Sequence, residues 1–262
     1  MFKECVVMPT KNRPEMLALA LQHLDRTGRK NLDVRIFLDA THPFNTEDRT
    51  QDVEYVRDEY YPDAMIFRAG PHVEVPSGMW NILNALKQGY QSGADRIYLI
   101  EEDVCVDKDY FDWHDEAQRN TAYLGVLASC GRYHMPGYNK YTNPGSCFKR
   151  DMLNLVVPHI NDEMFADRRA YYEKQWGVMD EVSDLDDGMI RRIAKFYGLQ
   201  VRYPETPKCS HIGFRAYNHY DGWDNTGGSI QYRIARLRHM LSTTDRNNRF
   251  TRDFEPLPCS RQ

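Results

Sequence analysis

The feature that most constrains this chain is an alternation filling its first 104 residues, in which short apolar runs are separated by helical patterns. Residues 3–8, whose apolar and partly β-branched run Cys5-Val6-Val7-Met8 is closed by Pro9, read as a buried strand. Thr10-Lys11-Asn12-Arg13-Pro14 reads as a turn into a helix. Pro14 suits a first helical position, and Met16, Leu17, Leu19, Ala20 and Leu24 share a face. Residues 34–38 form the next strand and end at Asp39. A polar helix over 48–60, a strand over 64–67, a helix over 78–90 and a strand over 96–100 follow. Strands that are apolar throughout are buried on both faces, so the pattern predicts a mostly parallel sheet covered by helices on both sides. Ligands of such sheets bind outside the carboxyl ends of the strands. Three of those ends carry polar groups here: Thr10 to Arg13, Asp39, and Glu101-Glu102-Asp103.

Beyond residue 103 the pattern loosens. It predicts a helix over 110–120, a strand over 122–129, and a strand or helix over 148–157. A helix over 185–197 stopped by Gly198, a strand over 199–203 and a basic helix over 230–241 complete it. Residues 130–146 and 219–229 are rich in turn formers, and there is no internal repeat or low-complexity linker. A single compact α/β domain is expected. With 41% hydrophobic and 12% aromatic residues, the chain is not a disordered one. No apolar run approaches the roughly 18 residues of a membrane span, and Lys3-Glu4-Cys5 leads into a strand rather than a secretory leader. The cysteines at 5, 105, 130, 147, 209 and 259 form no C-x-x-C pair, so reduced thiols and a cytoplasmic location are expected. A net charge of −4 argues against a generic polyanion binder, although residues 231–252 carry six arginines against one acid, Asp245.

Three acids directly after an apolar strand need a counter-charge. Unit charges about 4 Å apart repel by on the order of 1–4 kcal/mol, depending on the local dielectric. A divalent cation removes that cost, and hard carboxylate oxygens suit Mg²⁺ or Mn²⁺, ions that also hold substrate phosphates. Glu101-Glu102-Asp103 therefore reads as a metal–diphosphate platform; the competing reading is a solvated strand end.

From these residues a resemblance emerges. The run Cys5 to Pro14 resembles the first strand and turn of GT-A-fold glycosyltransferases. Ile100-Glu101-Glu102-Asp103-Val104, with Asp109-Tyr110-Phe111 after it, is similar to their acidic motif and the aromatic helix that follows. The pattern is most similar to the inverting N-acetylglucosaminyltransferases of the N-glycan type, over roughly residues 3–213. The resemblance implies a GT-A, Rossmann-like fold. It also implies a nucleotide-binding half (1–104), an acceptor half (105–230) and a basic C-terminal helix and tail (231–262). It implies that Thr10 and Arg13 meet the nucleotide, that Asp39 bonds uracil or ribose, that Glu101 and Glu102 face the ribose and the metal's water shell, and that Asp103 is the metal ligand. Asn81 or Asn84, in the helix leading to the acidic strand, is expected to face the donor, while Trp80, Leu83 and Leu86 form its core face.

In the second half, Leu185-Asp186-Asp187-Gly188-Met189-Ile190-Arg191-Arg192 resembles the family's W-D-D-W-M-R-R segment, with Leu185 and Gly188 in place of the tryptophans. The second acid is the family's catalytic base, which corresponds to Asp187. Acids at a helix start are also explained by the helix dipole. His211 matches a further metal ligand found in many GT-A enzymes, and carboxylate plus imidazole favours Mn²⁺ over Mg²⁺. Tyr133, Tyr138 and Tyr141 are expected to form an aromatic acceptor wall, and residues 221–228 a lid.

The expected reaction is metal-dependent transfer of a sugar from a nucleotide-diphosphate donor, a UDP-sugar, to an acceptor hydroxyl with inversion. The acceptor is a saccharide, a small molecule or modified DNA. The last of these, the phage-type glycosylation of 5-hydroxymethylpyrimidine, draws on the basic C-terminal region. A nucleotidyltransferase is the alternative enzyme, although residues 9–14 lack its glycine-rich loop. A non-catalytic nucleotide-sugar binder would not need Asp187.

Overall fold

The computed structural model describes residues 3–11, 13–39, 49–68, 77–119, 125–131, 141–179, 185–213 and 228–244. Its first half follows the expected alternation: β1 (Glu4–Thr10), α1 (Pro14–Arg26), β2 (Leu32–Leu38), α2 (Thr50–Tyr60), β3 (Met65–Arg68), α3 (Ser77–Gln91) and β4 (Arg96–Leu99). Next come β5 (Val104–Val106), α4 (Tyr110–Arg119), β6 (Val126–Cys130), β7 (Ser146–Lys149) and the short α5 (Arg150–Leu153). Then follow α6 (Asp162–Ala166), α7 (Arg168–Trp176), α8 (Asp186–Phe196), β8 (Gln200–Arg202), β9 (Cys209–His211) and α9 (Ile230–Thr244).

Seven strands form one sheet in the order β3-β2-β1-β4-β7-β6-β8. The first four are parallel; β7 runs antiparallel to both β4 and β6, and β8 is parallel to β6. The sheet therefore crosses both halves of the chain in a single α/β domain. The chain builds outward from β1 to β2 and β3 and then returns to place β4 on the other side of β1. That reversal makes the carboxyl ends of β1 and β4 a topological switch point, where a crevice opens for ligands.

Strand periodicity divides the core. Val6 and Met8 of β1 face a cluster with Leu17, Leu21 and Leu24 of α1, Val53 and Val56 of α2, and Ile234 and Leu237 of α9. Cys5 and Val7 face the other side, with Leu83 and Leu86 of α3, Tyr172 and Trp176 of α7, and Met189 and Ile193 of α8. The expected core face of α3 holds for Leu83 and Leu86, whereas Trp80 is only half-buried. The five described cysteines, Cys5, Cys105, Cys130, Cys147 and Cys209, are buried free thiols. Among the described residues no helix is long and apolar enough to cross a membrane.

The basic helix α9 turns two of its arginines inward while Arg236 stays exposed: Arg233 pairs with Glu15 at 3.0 Å and with Asp52. Arg238 is buried and donates to Gln22. Tyr141 is also in the core, its hydroxyl 3.0 Å from Ser146 Oγ, so it does not stand in an open aromatic wall. Tyr133, Tyr138, the segment 221–227 and the arginines at 246, 249 and 252 lie outside the described residues.

Candidate active site

The site is built from the ends of β1 and β4. Ile100 N donates to Val7 O at 3.1 Å and Glu102 N to Pro9 O at 3.3 Å, so the ladder runs past β4 and carries the acids alongside Thr10 and Lys11. A turn then closes with Val104 N donating to Glu101 O at 2.9 Å. On the facing side, Arg13 is the N-cap of α1 with Pro14 behind it, and its side chain makes no cap bond. It crosses to the acids instead. Arg13 Nε donates to Glu102 Oε1 at 2.6 Å, and Nη2 stands 3.1 Å from Asp103 Oδ2. Lys11 N donates to the same Glu102 oxygen at 3.2 Å.

The other Asp103 oxygen, Oδ1, lies 3.2 Å from His211 Nε2. The element that brings His211 there is a two-stranded antiparallel sheet of β5 and β9, in which Val104 is paired with His211. Ile212 N adds a bond to Asp103 O at 2.8 Å. Asp103 and Glu102 are almost fully buried, at 3% and 2% exposure. Burial alone would raise the Asp103 carboxyl, but the His211 imidazole and the Arg13 guanidinium outweigh it and hold the group below its ordinary range. Glu102 is raised, by burial first, against the pull of Arg13. Glu101 is pushed well above the carboxylate range by burial and then by the fields of Asp103, Glu102 and Asp186.

Asp103 and His211 suit a divalent cation. Two donors each about 2.1 Å from one octahedral ion lie about 3 Å apart, close to the observed pair separation. Among the described residues no group of three or more His, Cys, Asp or Glu side chains is arranged around one point. Two protein ligands would leave the other positions of such an ion to water and substrate oxygens, the habit of Mg²⁺ and Mn²⁺.

The remaining sequence candidates fall into place differently. Asp39 is fully buried at the end of β2, its N–H donating to Thr10 O at 3.0 Å. The Thr10 hydroxyl donates back to Met8 O at 3.2 Å. The Asn81 amide donates to Phe37 O at 2.9 Å and to Thr10 O at 3.4 Å, tying the ends of β1 and β2 together. Asn84 Nδ2 bonds within its own helix, to Trp80 O at 2.9 Å. Asp187, in the first turn of α8, pairs with Arg191 one turn on at 2.7 Å and is 25% exposed. Its neighbour Asp186 is buried, accepts from Asn143, and is raised by burial.

Sequence reasoning missed Lys11 and Asp186. Lys11 lies within the electrostatic reach of Glu102, Asp103 and Asp186, and its end passes over Gly78, where a Cβ would stand 2.8 Å from Nζ. Asp186 is the carboxylate whose field reaches Glu101. Their signal was present in the turn and in the paired acids, but only the fold shows that 11, 101 and 186 converge.

No protein-family model and no curated protein sequence matches the chain. Solved structures do. An active-site mutant of LgtC is 13% identical over 90% of this chain and 95% of its own, with a TM-score of 0.51. The galactosyltransferase LgtC in complex with donor and acceptor sugar analogs is 14% identical over 76% of this chain and 72% of its own, with a TM-score of 0.47. Mouse xyloside xylosyltransferase 1 is 10% identical over 77% and 84%, with a TM-score of 0.48. The LgtC mutant shows the fold, and that fold is the GT-A type expected from the sequence.

Proposed function

We propose that this protein is a glycosyltransferase that moves a sugar from a nucleotide-diphosphate donor, first among them a UDP-sugar, to an acceptor hydroxyl in one displacement. One observation carries this reading: at the switch point of the sheet, Asp103 has Arg13 on one oxygen and His211 on the other. The fold shared with the LgtC mutant supports the sugar-transfer part of this reading, while the single displacement rests on the sequence pattern at Asp187 and the UDP donor on the sequence resemblance. The N-glycan N-acetylglucosaminyltransferase pattern rests on sequence motifs alone.

Asp103 and His211 would hold a divalent cation, with Mn²⁺ favoured by the imidazole and Mg²⁺ the alternative. Such an ion supplies Lewis-acid stabilisation of the departing diphosphate. Arg13 is pre-positioned by Glu102 to donate to the phosphate oxygens, and Lys11 adds a second cation on the same side. Glu101, partly exposed, and Asp39 are the acceptors offered to ribose and base, while Thr10 and Asn81 fix the strand ends that present them. Asp187 is the proposed base. It is open to an acceptor arriving from solvent, whereas Asp186 is buried and held by Asn143. Removal of the hydroxyl proton by a positioned carboxylate contributes roughly 10²–10⁴ in rate. A single displacement inverts the anomeric carbon. The inward pairing of Arg233 and Arg238 favours a saccharide or small-molecule acceptor over modified DNA.

The test is a panel of nucleotide sugars with Mn²⁺, read by thermal shift and by slow donor hydrolysis. One donor class should raise Tm only with the metal. Asp187→Asn should keep that shift and lose roughly 10²–10⁴ of transfer rate. Unchanged turnover in that variant would remove the base, and no metal-dependent shift with any donor would remove the function.

A further inference from the structure

Asp103 is gripped from three directions, and one of them is a missing side chain. The chain leaves β9 at His211, passes Ile212, whose N–H holds the Asp103 carbonyl at 2.8 Å, and reaches Gly213. A Cβ on Gly213 would stand 2.7 Å from Asp103 Cγ and 3.0 Å from its Cβ, and nearer still to Oδ2. Carbon atoms pack at about 3.5–4.0 Å, so no side chain fits while the carboxylate keeps its place. The backbone gives no other reason for glycine, because Gly213 is not among the glycines with positive φ. The neighbour cannot simply swing aside either, since Arg13 Nη2 stands 3.1 Å from Oδ2 and the main chain is tied by Ile212. Gly78 is the contrast: a Cβ there meets only the end of the Lys11 side chain, which is exposed and flexible.

We propose that Gly213 is a positioning residue: its bare α-carbon forms the slot in which Asp103 Oδ2 stands, fixing the carboxylate so that one oxygen faces His211 and the other faces Arg13. The consequence for ligands rests on reading Asp103 as the residue that meets the cation and the diphosphate. A side chain at 213 turns that carboxylate away. Loss of a group that orients a metal ligand typically costs 10–100-fold in metal affinity.

The experiment uses Gly213→Ala, Asp103→Ala and the double variant. Each is unfolded thermally without ligand and titrated with Mn²⁺ in the presence of UDP. Gly213→Ala should lower Tm by several degrees when Asp103 is present and by much less when residue 103 is alanine, because Oδ2 and Cγ, the two nearest atoms, are gone and only the Cβ at 3.0 Å remains. It should also weaken Mn²⁺-dependent UDP binding by roughly 10–100-fold. Equal Tm losses in both backgrounds overturn the proposal, and so does UDP binding at the wild-type level in Gly213→Ala. If Gly213→Ala does not fold, recovery of folding in the double variant supports the same contact, and failure of the double variant overturns it. If the wild-type protein binds no UDP with Mn²⁺, the donor-site reading falls on its own. The Tm coupling still decides whether Gly213 positions Asp103.

Discussion

His114 offers a quantitative test of how tightly α4 is packed behind the acidic turn. The ring is fully buried, with Nδ1 2.6 Å from Ser129 Oγ and ring centroids 4.4 Å from Tyr110 and 5.7 Å from Tyr98. Burial, with Arg96 adding to it, pushes its pKa down from 6.5 to about 3. The folded protein therefore keeps the ring neutral where the unfolded chain protonates it. Between those two values the unfolded state binds more protons, so stability falls as pH falls through that window and levels off near the folded pKa. At about 1.4 kcal/mol per tenfold difference in proton affinity, the loss by about pH 4.5 is about 2–3 kcal/mol. The perturbation is His114→Asn, which keeps a polar group near Ser129 and cannot titrate. Its packing cost is the same at every pH, and all other titrating groups cancel in the comparison. Urea unfolding of both proteins from about pH 7.5 to about pH 4.5 should show the stability gap closing by about 2–3 kcal/mol. Parallel stability curves would refute the reasoning, because they would mean that the ring can protonate in place.

Asn81→Ala strips the Phe37 carbonyl of its 2.9 Å donor in a buried position and should cost about 1–3 kcal/mol in urea unfolding; an unchanged midpoint would remove Asn81 as the tie between β1 and β2. Arg49→Met leaves the buried Glu15 with Arg233 alone and should cost about 3 kcal/mol, read as a fall in Tm; a neutral result would mean that water reaches Glu15. Arg233→Gln should lower Tm without changing the salt needed to elute the protein from heparin. Earlier elution at unchanged Tm would put that arginine on a polyanion-binding surface instead.

The first half was legible because each element announces itself locally. Residues 5–9 are apolar throughout, Pro14 opens α1, and a helix separates each consecutive pair among β1 to β4. A ligand site at the carboxyl ends of the strands followed from the parallel sheet, and the acidic turn 101–103 from the repulsion among three adjacent acids, whereas the choice of Asp103 among them came from the family resemblance alone. What escaped was long-range or polar. The strands β5 and β9 have three residues each, too few for a periodic signal, and pair across about a hundred residues, yet they carry His211 to Asp103. The helices α6 and α7 are only five and nine residues long, too short for a clear periodic signal, although Asn161 and Asp167 cap them through Met164 N and Ala170 N, a start signal that was there to be read. The arginines of α9 looked like a surface because their partners Glu15, Asp52 and Gln22 lie some 180–220 residues earlier in the chain. Of the two acids opening α8, sequence pattern pointed to Asp187. The fold adds that Asp186 is the one beneath the surface and nearest in field to Glu101.

The proposed function depends on Asp103 and His211 holding a cation against a donor diphosphate. Crystals soaked with MnCl₂ and UDP, measured at the manganese edge, test it most directly. One anomalous peak is expected in contact with a carboxylate oxygen of Asp103 and with His211 Nε2, with the UDP phosphates touching the same ion beside Arg13. An ordered UDP with no peak at that pair, or with the ion bound elsewhere, would contradict it.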